Sequence, residues 1–203
     1  MAFPVGKIGL FLGQSPIGTP AVLPRKESRI VTDSRQVRPG DVFIAIQGEN
    51  QDAHDFLTPD LVAKCSYCLV EQGWYSKRPR SGTAFFPVRD TVKAMLRLTE
   101  AYLKTLKVKI IAVTGSNGKT TTRTMIASVL RQKYRVFETK GNFNNRIGLP
   151  LSVFEMDERT EVAVLEMGTI FADTEGTKRQ SRVHIMDPAP RNLNESFIDT
   201  TPC

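Results

Sequence analysis

Residues 115–121 read Gly-Ser-Asn-Gly-Lys-Thr-Thr, and each residue type there suits the binding of a polyphosphate. Glycines let the backbone curl tightly enough to turn consecutive N–H groups toward one anion. A helix beginning at the same point adds the positive end of its dipole. Lys119 can bridge the outer phosphates, and the Thr120 hydroxyl can ligate Mg²⁺. Gly115, Ser116, Asn117, Gly118 and Thr121 complete the candidate cradle. The longer pattern GxxxxGK[ST] is not met, because its first glycine falls on Val113; the shorter GxxGKTT stands in its place. A plain Gly-rich turn is the competing reading of so short a motif.

Two further groups of residues bear on the same chemistry. Glu166 closes the apolar run Val162 to Leu165, which brings its carboxylate to the sheet edge where ligands bind in parallel α/β folds. There it can hold Mg²⁺ directly or through water, completing the shell that Thr120 begins, or it can serve as an ordinary strand-end cap. The catalytic candidates are therefore Lys119 and Glu166, and the metal candidates Thr120 and Glu166. Asn142, Asn144 and Asn145 lie between Gly141 and Gly148. Amides supply uncharged donors and acceptors suited to a sugar or peptide, although a run of turns uses the same residues.

The elements that must position these groups follow from hydrophobic periodicity. Ile110 to Val113 is a continuous apolar run, as expected of a parallel strand covered on both faces. The helix after the loop is expected to carry Met125, Ile126, Val129 and Leu130 inward. Arg135–Thr139 and Val162–Leu165 read as strands, with a helix opening at Leu149 to Phe154 between them. Strand and helix alternating with short connections predict an α/β parallel sheet. Upstream, Val42–Ile46 and Tyr67–Glu71 read as strands and Leu57–Lys64 as a short helix. Lys77 to Gly82 reads as a surface turn, and Asp90–Leu106 as a long amphipathic helix leading out of a first domain. Three segments are expected: 1–106, 107–168, and a weakly ordered tail over 169–203 with at most a short strand near Arg182 to Met186.

Composition narrows the classes. The 203 residues carry 28 Lys+Arg against 21 Asp+Glu, a net +7 that favours anionic partners without choosing among them. No basic cluster is interleaved with aromatics, so nucleic acid is not expected. No apolar stretch approaches the roughly 20 residues needed to span a bilayer. Met1 to Gln14 has a short apolar patch but no long h-region, so a cytoplasmic protein without membrane insertion is expected, as a monomer. Cys65, Cys68 and Cys203 are too few, with only His54 and His184, to build a four-ligand zinc site. A small-molecule kinase would need an arginine lid after the loop, and none is evident.

The residues Thr114 to Thr122, the segment Gly141-Asn-Phe-Asn-Asn-Arg-Ile-Gly-Leu-Pro-Leu151 and Val164-Leu-Glu-Met-Gly168 resemble the Mur ligase family. Thr32-Asp-Ser-Arg35 and Pro39 to Glu49 are similar to the N-terminal UDP-binding domain of that family, so the resemblance runs in order over about 30–168. The Asn-rich segment most resembles the branch that joins D-alanyl-D-alanine to a UDP-N-acetylmuramoyl peptide. The resemblance implies a small N-terminal α/β UDP-binding domain followed by an incomplete P-loop, Rossmann-like ATP-binding domain. It implies ATP and Mg²⁺ as cofactors, an acyl phosphate intermediate and ADP as product. It also implies that Ser34 and Arg35 face the uridine diphosphate and that Asn142, Asn144 and Asn145 face the muramoyl peptide. Read alone, Asp33-Ser34-Arg35 is better taken as a capped turn with a surface arginine, and it is the family context that reverses that reading.

Departures from the family pattern are specific. Asp52-Ala-His-Asp-Phe56 replaces the usual Asp-Gly-His, and a positive φ at Ala53 would be strained. Arg146 stands where an acidic residue is common. Nothing in Thr169 to Cys203 resembles the rest of the ATP domain, its adenine pocket, carbamylated lysine and metal-binding histidine, or the amino-acid-binding third domain. The expectation is a truncated ligase that does not ligate alone. The alternative is a non-catalytic nucleotide- or UDP-sugar-binding module whose tail docks a partner.

Overall fold

The computed structural model describes residues 3–24, 28–77, 84–141 and 143–168, and the backbone of 182–186. The surface turn expected at 77–82 and the tail at 169–203 fall largely outside the described residues, as does Asn142. The chain divides into two compact units, Met1–Thr99 and Glu100–Cys203, and the division falls within one long helix.

In the first unit, α1 (Ile8–Leu12) precedes four strands: β1 (Ile30–Val31), β2 (Val42–Ile44), β3 (Tyr67–Glu71) and β4 (Ala84–Val88). They form one all-parallel sheet in the order β1-β2-β3-β4. Strands buried on both faces lose the alternation of half-buried ones, and Val42, Phe43, Ile44, Cys68, Leu69, Val70, Phe85 and Phe86 are all buried. Pro87 is accommodated because β4 is an edge strand. The connecting helices are α2 (Pro59–Lys64) and α3 (Gln72–Lys77). Thr58 caps α2 by accepting from Leu61 N, and Pro59 starts the helix where its missing N–H costs nothing.

Cys65 and Cys68 sit in this unit's core beside Phe43, Leu57 and Phe85. A hydrogen bond with Cys65, together with burial, raises the Cys68 thiol well above its usual range. Ala53 lies in a 3₁₀ turn, Ala53–Phe56, whose leading Asp52 accepts from His54 N. That right-handed turn makes no demand for a positive φ at Ala53.

The bridging helix α4 (Thr91–Thr105) is capped by Asp90, whose Oδ1 accepts from Lys93 N at 2.9 Å. Met95, Leu98, Tyr102 and Leu103 form its buried stripe, and Leu106 is buried just past its end. In the second unit the order is β5 (Lys109–Thr114), α5 (Lys119–Leu130), β6 (Val136–Glu138), α6 (Gly148–Val153), β7 (Val162–Glu166) and β8 (Arg182–Met186). The sheet runs β6-β7-β5-β8, with β5, β6 and β7 parallel and β8 antiparallel to β5. Tyr102 Oη donates to the Met156 carbonyl at 2.8 Å, fixing the end of α4 to the segment after α6.

The phase of α5 differs from the sequence expectation. Ile126 and Leu130 pack toward Val113, Ala127, Val162 and Val164, but Met125 and Val129 are 65% and 72% exposed. Fully buried Ala127 sets the inward direction, and residues two positions either side lie about 200° round the helix.

Candidate active site

Register places the site. Val113 pairs with Glu166, so the loop after β5 and the end of β7 emerge side by side at the carboxyl edge of the second sheet. Gly115 has φ 141° and Gly118 φ 74°, conformations that side chains rarely adopt, and Gly118 is the N-cap of α5. A helix leaves its leading N–H groups without intrahelical acceptors, and here they open beside the glycine loop. Lys119 Nζ folds over that loop, donating to the Gly115 carbonyl at 2.7 Å and lying 3.5 Å from that of Ser116. The half-buried amine stays at the mouth of the loop.

Glu166 is 2% exposed and is the hub of the arrangement. Its Oε2 accepts from Thr120 Oγ1 at 2.9 Å and from Arg123 Nη1 at 3.1 Å, and its Oε1 from Asn144 Nδ2 at 3.0 Å. Its own N–H donates to Thr139 Oγ1 at 3.1 Å, tying β7 to the end of β6. Buried carboxylates require such a shell, because an unpaired charge away from water is very costly. Hydroxyl, carboxylate and phosphate oxygens are the donors Mg²⁺ prefers. Thr114 Oγ1 is a further oxygen beside the loop, buried without a hydrogen-bond partner among the described residues. No three His, Cys, Asp or Glu side chains cluster as a metal cage among the described residues. A cation here would therefore rest on Thr120, Glu166 and ligand oxygens, and the donor set fits it.

The asparagine loop is gripped from β7. The Gly168 N–H donates to the Asn144 carbonyl at 2.7 Å, and a Cβ at Gly168 would lie 2.7 Å from that same oxygen. A Cβ at Gly148 would lie 2.7 Å from Phe143 Cα. Asn145 Oδ1 accepts from Ile147 N and Gly148 N, at 3.0 and 2.7 Å, and so is committed to shaping the start of α6.

Arg123 is the residue that sequence reasoning missed. It is 6% exposed and also donates through Nη1 to the Gly141 carbonyl at 3.3 Å. A charged residue inside a helix ordinarily reads as solvated. The available signal was its position one turn beyond Lys119, on the face that Ala127 also uses.

In the first unit, Ser34 and Arg35 lie in a 3₁₀ turn capped by Asp33, just beyond β1. Arg35 forks onto Asp33, with Nε to Oδ1 and Nη2 to Oδ2 both at 2.9 Å, while its side chain stays 87% exposed. That fork holds the Asp33 carboxyl down at about 2. The turn is thus capped and presents a surface guanidinium.

Fold and site together define an α/β protein of Rossmann-like form with a phosphate-loop motif at the carboxyl edge of its second sheet. A model of the Mur ligase middle domain matches residues 113–185, reaching past Gly168 into β8, so the family pattern continues beyond the point where the sequence reading ended it. The UDP-N-acetylmuramoyl-tripeptide–D-alanyl-D-alanine ligase of Bacillus subtilis is 45% identical over 139 residues, covering 68% of this chain and 30% of that protein. The ligase of the same name from Escherichia coli is 32% identical over 139 residues, again 68% and 30%. A crystal structure of MurF from Acinetobacter baumannii aligns with TM-score 0.68 at 32% identity, over 83% of this chain and 36% of that one. MurF ligase from Thermotoga maritima in complex with ADP aligns with TM-score 0.61 at 35% identity, covering 70% and 32%. The chain belongs to the Mur ligase family. It spans about a third of the length of these relatives.

Proposed function

We propose that this chain supplies the UDP-substrate-binding and nucleotide-binding parts of an ATP-dependent, ADP-forming ligase of peptidoglycan precursor synthesis. The reaction joins D-alanyl-D-alanine to UDP-N-acetylmuramoyl-tripeptide in the cytoplasm. The observation that carries this reading is the 2.9 Å contact between Thr120 and Glu166, formed across 46 residues of sequence at the mouth of the glycine loop. Similarity to a ligase solved with ADP supports the choice of nucleotide.

A carboxylate is a poor electrophile, so its oxygen must first acquire a leaving group. The substrate carboxylate attacks the γ-phosphorus of ATP, the bond to the ADP oxygen breaks, and an acyl phosphate forms. The D-alanyl-D-alanine amine then adds to the acyl carbon, loses a proton, and expels inorganic phosphate. The amides of 115–121 cradle the phosphates, and Lys119 exchanges the Gly115 carbonyl for phosphate oxygens as negative charge builds. Thr120 and Glu166 would hold Mg²⁺, which when bound offsets charge on the phosphates. Asn144, braced by Glu166 and Gly168, is assigned with Asn142 and Asn145 to the muramoyl peptide. Ser34 and the exposed guanidinium of Arg35 are assigned to the uridine diphosphate.

These 203 residues are expected to bind nucleotide as a monomer without ligating. An ADP- and phosphate-release assay with ATP, Mg²⁺, tripeptide precursor and D-alanyl-D-alanine tests this beside calorimetric binding of ADP–Mg²⁺. Binding without turnover is the expected result. Robust turnover overturns the claim that the chain does not ligate alone, and absence of nucleotide binding overturns the site.

A further inference from the structure

Arg123 is shared unequally between two carboxylates. Its Nη1 donates to Glu166 Oε2 at 3.1 Å. Its Nε lies 3.8 Å from Glu138 Oε2, too far for a hydrogen bond, and both of those atoms are buried without a hydrogen-bond partner among the described residues. The other oxygen of Glu138 is taken by Arg131 Nη2 at 2.8 Å. A buried guanidinium N–H and a buried carboxylate oxygen within ion-pair range but not hydrogen-bonded form an acceptor held in reserve.

The reserve has a use if a cation binds at Glu166, a step that rests on the phosphate-loop reading above. Without the cation, Arg123 neutralises a carboxylate that would otherwise be buried bare. With it, the guanidinium and the cation compete for the same Oε2. We propose that Arg123 is a positioning residue: on divalent cation binding it shifts its carboxylate hydrogen bond from Glu166 to Glu138, with which it is already in ion-pair range. The same guanidinium donates to the Gly141 carbonyl, so the shift couples cation occupancy to the loop that carries Asn144. The binding energy of the cation is thereby raised by the presence of Glu138, a side chain that never touches it.

The test uses the 203-residue chain with ADP, first in chelator and then with Mg²⁺, following the arginine Nε–H signals by NMR. The Arg123 signal is identified by its absence in Arg123→Lys. In the unaltered protein, Mg²⁺ is expected to shift the Arg123 Nε–H signal and slow its exchange with water. Glu138→Gln should remove that response and weaken Mg²⁺ binding to the ADP complex about tenfold, with ADP affinity in chelator unchanged. Arg131→Gln, which leaves Glu138 Oε2 in place, should retain the response. An Arg123 signal indifferent to saturating Mg²⁺, or equal Mg²⁺ affinity in Glu138→Gln, overturns the proposal. Failure of the unaltered chain to bind ADP at all overturns the phosphate-loop reading itself.

Discussion

The side-chain amide of Asn144 donates to Oε1 of Glu166 at 3.0 Å, on the carboxylate whose other oxygen takes the hydroxyl of Thr120. One buried acid therefore ties the asparagine loop to the phosphate loop. Since the Asn144 carbonyl is also held by Gly168 N–H, both ends of the Glu-Met-Gly sequence grip a single residue.

Removing that acid leaves Arg123 buried without its strongest partner. Glu166→Ala is expected to cost about 3 kcal/mol of stability, the scale for breaking a buried ion pair. Glu166→Gln keeps a polar group of the same shape and should cost less. Urea unfolding of the two variants checks the order.

Lys119 makes its hydrogen bonds to carbonyls of its own loop and is half-buried, so stability depends on it little. Lys119→Ala is expected to weaken ADP–Mg²⁺ binding at least about a hundredfold while moving the unfolding midpoint little, since charge-assisted phosphate contacts are strong. Calorimetry paired with thermal unfolding separates the two effects.

Glycine substitutions discriminate crowding from open space. At Gly168 and Gly148 an added methyl meets backbone at 2.7 Å, so alanine at either should destabilise by about 1 to 3 kcal/mol. Gly6→Ala, where nothing lies within 4 Å, should be close to neutral. Denaturant midpoints for the three variants decide it.

The Arg35 fork sets a pH dependence. Asp33 is held at about 2 against an ordinary 3.8, first by the side-chain hydrogen bonds of Arg35 and then by its backbone N–H. The folded state thus releases this proton more readily than the unfolded state. The stabilising contribution is complete above about pH 4 and is lost as pH falls through about 2. Carboxyl NMR titration should return a midpoint near 2, moving back toward 3.8 in Arg35→Ala.

Contiguity decides what the sequence makes legible. The strand, glycine loop and helix of 110–130 follow one another, so their types and spacing are sufficient, and Glu166 is found because it ends an unbroken apolar run. Arg123 is hidden because its burial depends on Glu138 and Glu166, which lie 15 and 43 residues away. The same applies to His54, buried through Nδ1 to Asp52 and accepting at Nε2 from Glu71 N–H, a link across 17 residues. β4 and α1 escape periodicity for local reasons: Pro87 interrupts one, and Gly9 breaks the short apolar pattern of the other. Met125 and Val129 are apolar yet exposed, because the inward face of α5 is set by Arg123 and Ala127.

The central claim is that the glycine loop and Glu166 form one nucleotide–magnesium site. A crystal structure of the chain grown with ADP and Mg²⁺ tests it most directly. The account predicts phosphate oxygens on the amides of 115–121, with the cation between Thr120 and Glu166. A nucleotide bound elsewhere, or a cation remote from Glu166, would contradict it.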